Sequence, residues 1–357
     1  MSIPGSHTVE KISFSERIKD KIFHLLRLTN DPVVKVYNGF GNGNSVVVYG
    51  HVFKFGPLPR KKFRQNVLTN SFALLRLFMV RPSPKAVVRM SWQNETFEAK
   101  TADDGFFKFE WNPGGSIQPG WHSISVQLVS LNGNVNIRSK GEGHFLIPDR
   151  HQFGCISDID DTFLISHSAN LRKRLFVLFT ENAHSRQPFE GVVNHYQLLS
   201  KAGAVTETPN PFFYVSSSEW NLYDYITEFS RKNNLPKGIY LLNQIKTFKE
   251  IFKTGQNKHS TKFMRIARVI ESYPTQRFIL LGDNSQQDPV IYSSIVEHFP
   301  GKIECVYLRN VHKANHINVE EIVKKIMAAG VDCCYFSHSE EAIIHSKKIG
   351  LIPGIET

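Results

Sequence analysis

From about residue 33 to 148 the apolar residues fall in short alternating runs: VVKVY (33–37), SVVVYGHVFKF (45–55), AVVRMSW (86–92), FFKFEW (106–111), SISVQLVS (123–130) and HFLI (144–147). Period-two alternation such as Ile124, Val126 and Leu128, broken by the turn signals DDG (103–105), NPGG (112–115) and NGN (132–134), predicts an antiparallel sandwich. Ahead of it, residues 11–29 carry Phe14, Ile18, Ile22, Leu25 and Leu26 on one helical face, which predicts a cationic amphipathic helix.

After about 149 the pattern changes. FGCI (153–156), FFYV (212–215), IYLL (239–242), FILL (278–281) and IECVYL (303–308) are near-continuous apolar runs, and helical stretches over 192–202, 220–232, 260–272 and 289–298 fall between them. Buried strands alternating with helices predict an α/β region with a parallel sheet covered on both faces. Two domains follow as an expectation: 1–148, an N-terminal helix plus β-sandwich, and 149–357, an α/β domain.

Charge refines this division. Residues 1–150 hold 20 basic and 11 acidic residues, against 23 and 21 in 151–357. A surplus concentrated in the first part favours an anionic partner. The run Arg60-Lys61-Lys62-Phe63-Arg64 adds four cations around one Phe. Basic residues are not interleaved with an aromatic stacking platform, so no nucleic acid is expected. Cys155, Cys305, Cys333 and Cys334 form no CxxC pair, and a reducing, cytoplasmic setting is expected. No run reaches the ~18 apolar residues of a membrane span.

The chemistry gathers at strand ends. FGCISDIDDTF (153–163) runs straight into Asp158, Asp160, Asp161 and Thr162. Carboxylates this close repel one another unless a cation lies between them, and hard oxygen donors without His or Cys select Mg²⁺ over zinc. FILLGDNSQQD (278–288) repeats the arrangement with Gly282, Asp283 and Asp288, where Gly282 permits a tight turn and close backbone approach. FFYV ends in Ser216-Ser217-Ser218, whose hydroxyl and N–H groups suit a phosphate. Lys262 begins the helix feeding strand 278–281 and could neutralise both the acidic cluster and a bound phosphate.

In this order the four parts resemble the haloacid dehalogenase superfamily of phosphatases: DxDxT (Asp158, Asp160, Thr162), Ser216, Lys262 and GDx₄D (Asp283, Asp288). SSSEWNLYDYITEF (216–229) and the stretch 262–303 are similar to the phosphatidate phosphatases of the actin-patch protein type. That family's usual turn reads GDSGxxDP, whereas this chain has GDNSQQDP, with Asn284 and Ser285 in place of Ser and Gly. The resemblance implies a HAD-like Rossmannoid fold and a Mg²⁺-dependent hydrolase acting on phosphatidate. It implies Asp158 as nucleophile, Asp160 as general acid and base, and Lys262 and Ser216 on the phosphoryl oxygens, with Thr162 and Ser217 beside them. Asp158, Asp160 (through its backbone carbonyl), Asp283 and Asp288 form the implied metal set, Asp288 alternatively orienting Lys262 or a metal-bound water. Asp161 is implied to matter less.

Phosphatidate lies at a bilayer surface, so a peripheral contact with an anionic lipid surface is expected, through the basic first part and the segment NLRKRLFVLFT (170–180) as a flap beside the site. Two alternatives stand beside this reading: the same chemistry on a soluble phosphomonoester or phosphoprotein, and a non-catalytic membrane adaptor. The second is disfavoured because every catalytic position holds a competent residue.

Overall fold

The structure is a computed structural model that describes residues 32–55, 80–114, 117–131, 139–159, 190–203, 208–244, 258–284, 287–311 and 316–353. The expected helix 11–29, the basic run 60–64, Asp160, Asp161, Thr162 and the expected flap 170–180 lie outside the described residues.

The alternating runs of the first part pair into one nine-stranded sheet: β1 (Val33–Val36), β2 (Gly39–Gly41), β3 (Val46–Phe55), β4 (Arg81–Pro82), β5 (Val87–Trp92), β6 (Glu95–Lys100), β7 (Phe106–Trp111), β8 (Gly120–Ser130) and β9 (Ser139–Ile147). Every pairing is antiparallel except that of β2 with β9. Alternation does the sorting: in β7, Phe107, Phe109 and Trp111 are buried while Lys108 and Glu110 face outward. These side chains enclose a core with Val46, Val48, Met90, Val126 and Phe145.

The second part forms a six-stranded, wholly parallel sheet from β10 (Gly154–Asp158), β11 (Phe212–Glu219), β12 (Gly238–Asn243), β13 (Phe278–Asp283), β14 (Ile303–Arg309) and β15 (Asp332–Phe336). Its helices are α1 (Val192–Leu199), α2 (Tyr223–Lys232), α3 (Lys258–Glu271), α4 (Asp288–His298), α5 (His316–Ala328) and α6 (Ser339–Lys348). All residues of β10 and β13 are buried, as continuous apolar runs require of central parallel strands. The strand order is β12-β11-β10-β13-β14-β15. The chain therefore winds outward from β10 to one edge, returns, and winds outward from β13 to the other. Between β10 and β13 lies the point where the order reverses, and ligands in open α/β sheets gather at the carboxyl ends beside such a point.

The two sheets share packing. Tyr37 stacks on Trp220 with ring centroids 4.1 Å apart, and Phe40 meets Phe213 edge-on at 5.6 Å. Asn38 donates to the Tyr223 hydroxyl at 3.2 Å and to the Gly238 carbonyl at 3.0 Å, and Arg268 donates to Glu110 at 3.0 Å. Tyr37, Phe40, Tyr49 and Leu146 accordingly belong to the same apolar cluster as the parallel sheet. No helix among the described residues is long and apolar enough to cross a membrane.

Candidate active site

Asp158 ends β10 and Asp283 ends β13, two adjacent strands on either side of the reversal point. Asp288 opens α4, five residues after Asp283, in the first helical turn where the dipole favours a negative charge. All three are at most 1% exposed, and each offers a carboxylate oxygen so placed that the three atoms lie within 4.8 Å of one another. Three buried anions at this spacing need positive charge among them.

Part of it is Lys262. Among the described side chains of α3 the buried ones are Lys262, Ile266, Ala267, Val269 and Ile270, so the lysine lies on the helix's apolar stripe, where a leucine would otherwise sit. Its Nζ donates to Asp158 Oδ1 at 2.7 Å and also to Asp288 Oδ1. Burial pulls its pKa down, but the Asp158 and Asp288 carboxylates outweigh this and hold it well above the ordinary lysine value. The two carboxylates thus favour its ammonium form. The donor set, all hard oxygen with no His or Cys in the cluster, fits Mg²⁺ in kind.

Ser216 is one residue beyond Val215, the register partner of Asp158 on the neighbouring strand. It is fully buried, and the Ser218 backbone N–H donates to its Oγ at 2.9 Å. Arg265, one turn along α3 from Lys262, donates to the carbonyls of Ser216 at 3.0 Å and Leu241 at 3.2 Å, tying the helix to the ends of β11 and β12.

The turn between Asp283 and Asp288 has two supports. Gly282 is not among the glycines with positive φ, so the tight-turn reason expected for it does not apply. The close-approach reason does: an added Cβ would lie 2.7 Å from both Asp288 Oδ2 and Tyr292 Cε2. Asn284, wholly buried, donates through Nδ2 to Asn310 Oδ1 at 2.9 Å and to the Tyr335 hydroxyl at 2.8 Å, while its Oδ1 accepts from the Val311 N–H at 2.7 Å. Asn284 thus clamps the end of β13 to β14 and β15.

Of the residues expected from the sequence, Asp158, Lys262, Asp283 and Asp288 come together directly and Ser216 lies at the adjoining strand end, with Ser217 next to it. Asp160 and Thr162 lie outside the described residues. Arg265 and the Asn284 clamp were not anticipated. An apolar stripe interrupted by two cations on one helix was the available signal for the first; nothing local signals the second.

Residues 153–310 match the family model described as "Phosphatidate phosphatase APP1, catalytic domain". The phosphatidate phosphatase APP1 of Saccharomyces cerevisiae is 29% identical over 158 residues, covering 44% of this chain and 25% of that protein. An uncharacterized protein of Schizosaccharomyces pombe is 25% identical over 218 residues, 60% of this chain and 34% of that one. The chain thus matches between a quarter and a third of the length of these relatives. Among solved structures, a carbohydrate acetylesterase from Xanthomonas citri aligns over 89% of this chain and 75% of its own at 10% identity and a TM-score of 0.33, a likeness too weak to bear on fold or function.

Proposed function

We propose, from the match of residues 153–310 to the phosphatidate phosphatase APP1 catalytic-domain model, that this chain is a Mg²⁺-dependent phosphatase of HAD-like fold that hydrolyses phosphatidate to diacylglycerol and phosphate. The observation carrying this reading is the meeting of Asp158, Asp283, Asp288 and Lys262 at the reversal point of the parallel sheet.

Asp158, Asp283 and Asp288 would hold the ion, which when bound supplies charge that lets an anionic phosphate approach a carboxylate. Asp158 is the nucleophile: its carboxylate attacks phosphorus in line, the alkoxide leaves, and water later cleaves the aspartyl-phosphate. Asp160 protonates the leaving oxygen and then takes a proton from the water. Lys262, held between Asp158 and Asp288, faces the phosphoryl oxygens together with Ser216 and offsets their charge in the transition state. Asp288 positions Lys262. The basic surplus of residues 1–150 draws the protein to an anionic lipid surface.

The test compares phosphate release from phosphatidate in mixed micelles with release from water-soluble esters, with Mg²⁺ and with chelator. Wild type is expected to act on phosphatidate only with Mg²⁺. Asp158→Asn is expected to abolish release while its circular dichroism stays native. Release by Asp158→Asn would end the covalent route, and activity confined to soluble esters would move the substrate to that class.

A further inference from the structure

Beside the site, at the carboxyl ends of β11 and β12, the structure contains a cavity of about 390 Å³. Phe106, Trp220, Leu242 and Met264 give it an apolar lining, and Asp104, Asn243, Gln244 and Arg265 supply polar edges. Its volume is in the range of sites that hold small organic ligands. Two of its walls belong to the parallel sheet and its helices. The third, Phe106, comes from the start of β7 in the antiparallel sheet.

The cavity adjoins the carboxylates through the backbone that frames them. Arg265 lines it and, through the same guanidinium, holds the carbonyls of Ser216 and Leu241. Lys262 of the acidic cluster and Met264 and Arg265 of the cavity lie within one turn of α3. Met264 is 63% exposed, a long apolar side chain open to solvent on α3. An apolar residue left at the rim of an apolar cavity costs hydration that a ligand's hydrocarbon would relieve.

Resting on the phosphatase reading, we propose that this cavity receives the hydrocarbon side of the phosphomonoester, the glycerol and first acyl carbons of the leaving group, and that the antiparallel sheet therefore contributes to substrate choice through Phe106. The catalytic cluster handles the phosphate alone and is indifferent to what it is attached to. The cavity, not the cluster, sets the preference for an acylated ester over a bare one.

The experiment measures kcat/KM for dioctanoyl phosphatidate and for glycerol 3-phosphate, both with Mg²⁺, and reads their ratio. Met264→Glu places a charge at the rim of the cavity and is expected to lower the ratio by about tenfold, and Phe106→Thr, which keeps a strand-forming residue, by a similar factor. Met264→Leu should keep the wild-type ratio within about twofold, because it preserves the apolar contact. A ratio unmoved by both Met264→Glu and Phe106→Thr, in an enzyme that still releases phosphate, overturns the cavity assignment and leaves the phosphatase reading standing. Absence of phosphate release from either ester by wild type would instead overturn the phosphatase reading and the cavity assignment with it.

Discussion

Lys262 shows how one side chain makes an acidic centre affordable to fold. Removing it leaves Asp158 and Asp288 as buried carboxylates without their ammonium, an arrangement that costs several kcal/mol when one partner of a buried pair is deleted, of the order of ~3–5. Lys262→Met should lower phosphate release by about a hundredfold or more. It should also make Mg²⁺ a stronger stabiliser, because Asp158 and Asp288 then lack the ammonium's charge. Thermal unfolding with and without Mg²⁺ measures this: the variant's shift should exceed that of wild type, and an equal shift would mean the lysine does not share the ion's role. Asn284 makes a separate case. Asn284→Ala leaves the Val311 N–H and Asn310 without the partners they have now, and about 2 kcal/mol of stability should be lost in urea unfolding. The acidic residues were readable because each follows an apolar strand run. The Asn284 clamp was not, because its partners are 26, 27 and 51 residues away and only the fold brings them to it.

At the scale of elements, the site depends on how closely α4 is laid against the end of β13. Gly282→Ala puts a methyl carbon where Asp288 Oδ2 and Tyr292 Cε2 now lie, and Tyr292 cannot retreat easily because it is wholly buried with its hydroxyl donated to the Leu281 carbonyl at 2.8 Å. The helix must shift, carrying Asp288 away from Asp283. The expected outcome is a loss of about 1–3 kcal/mol in stability and a rise in the Mg²⁺ concentration needed for half-maximal thermal stabilisation; unaltered Mg²⁺ dependence would show that Asp288 is outside the ion's reach. The strands and helices of the parallel sheet up to β14 were legible from their apolar runs. Residues 95–100 were not, since ETFEAK forms β6 as an edge strand with mostly exposed side chains and is held by its hairpin with β5 rather than by burial. β15 escaped for a different reason, as DCCYF is a short run with only part of its length buried.

For the whole molecule, the shared core makes the two sheets dependent on each other, and two buried histidines expose that dependence to pH. His51 sits in the junction, its Nδ1 3.0 Å from the Tyr37 hydroxyl and its ring edge-on to Phe106. His195 lies on α1, edge-on to Tyr307 of β14, with Nε2 3.0 Å from Ser346 Oγ. Burial lowers both to about 3, helped at His51 by Lys35 and at His195 by Arg309 and His345. Each is neutral in the fold, while in the unfolded chain it takes a proton near pH 6.5. The stability this withholds from the charged form is present above pH 6.5 and is lost as the pH falls from there toward 3. Between pH 7.5 and 5.5 each histidine should cost about 1.4 kcal/mol, roughly 2.7 together. Urea unfolding at the two pH values, followed in parallel by tryptophan fluorescence and far-ultraviolet circular dichroism, measures it. Because Tyr37 stacks on Trp220 across the junction, the two signals should move as one transition at both pH values. Fluorescence that drops ahead of the dichroism at pH 5.5 would mean that protonated His51 parts the sheets before either melts, and that the shared core is weaker than its packing implies.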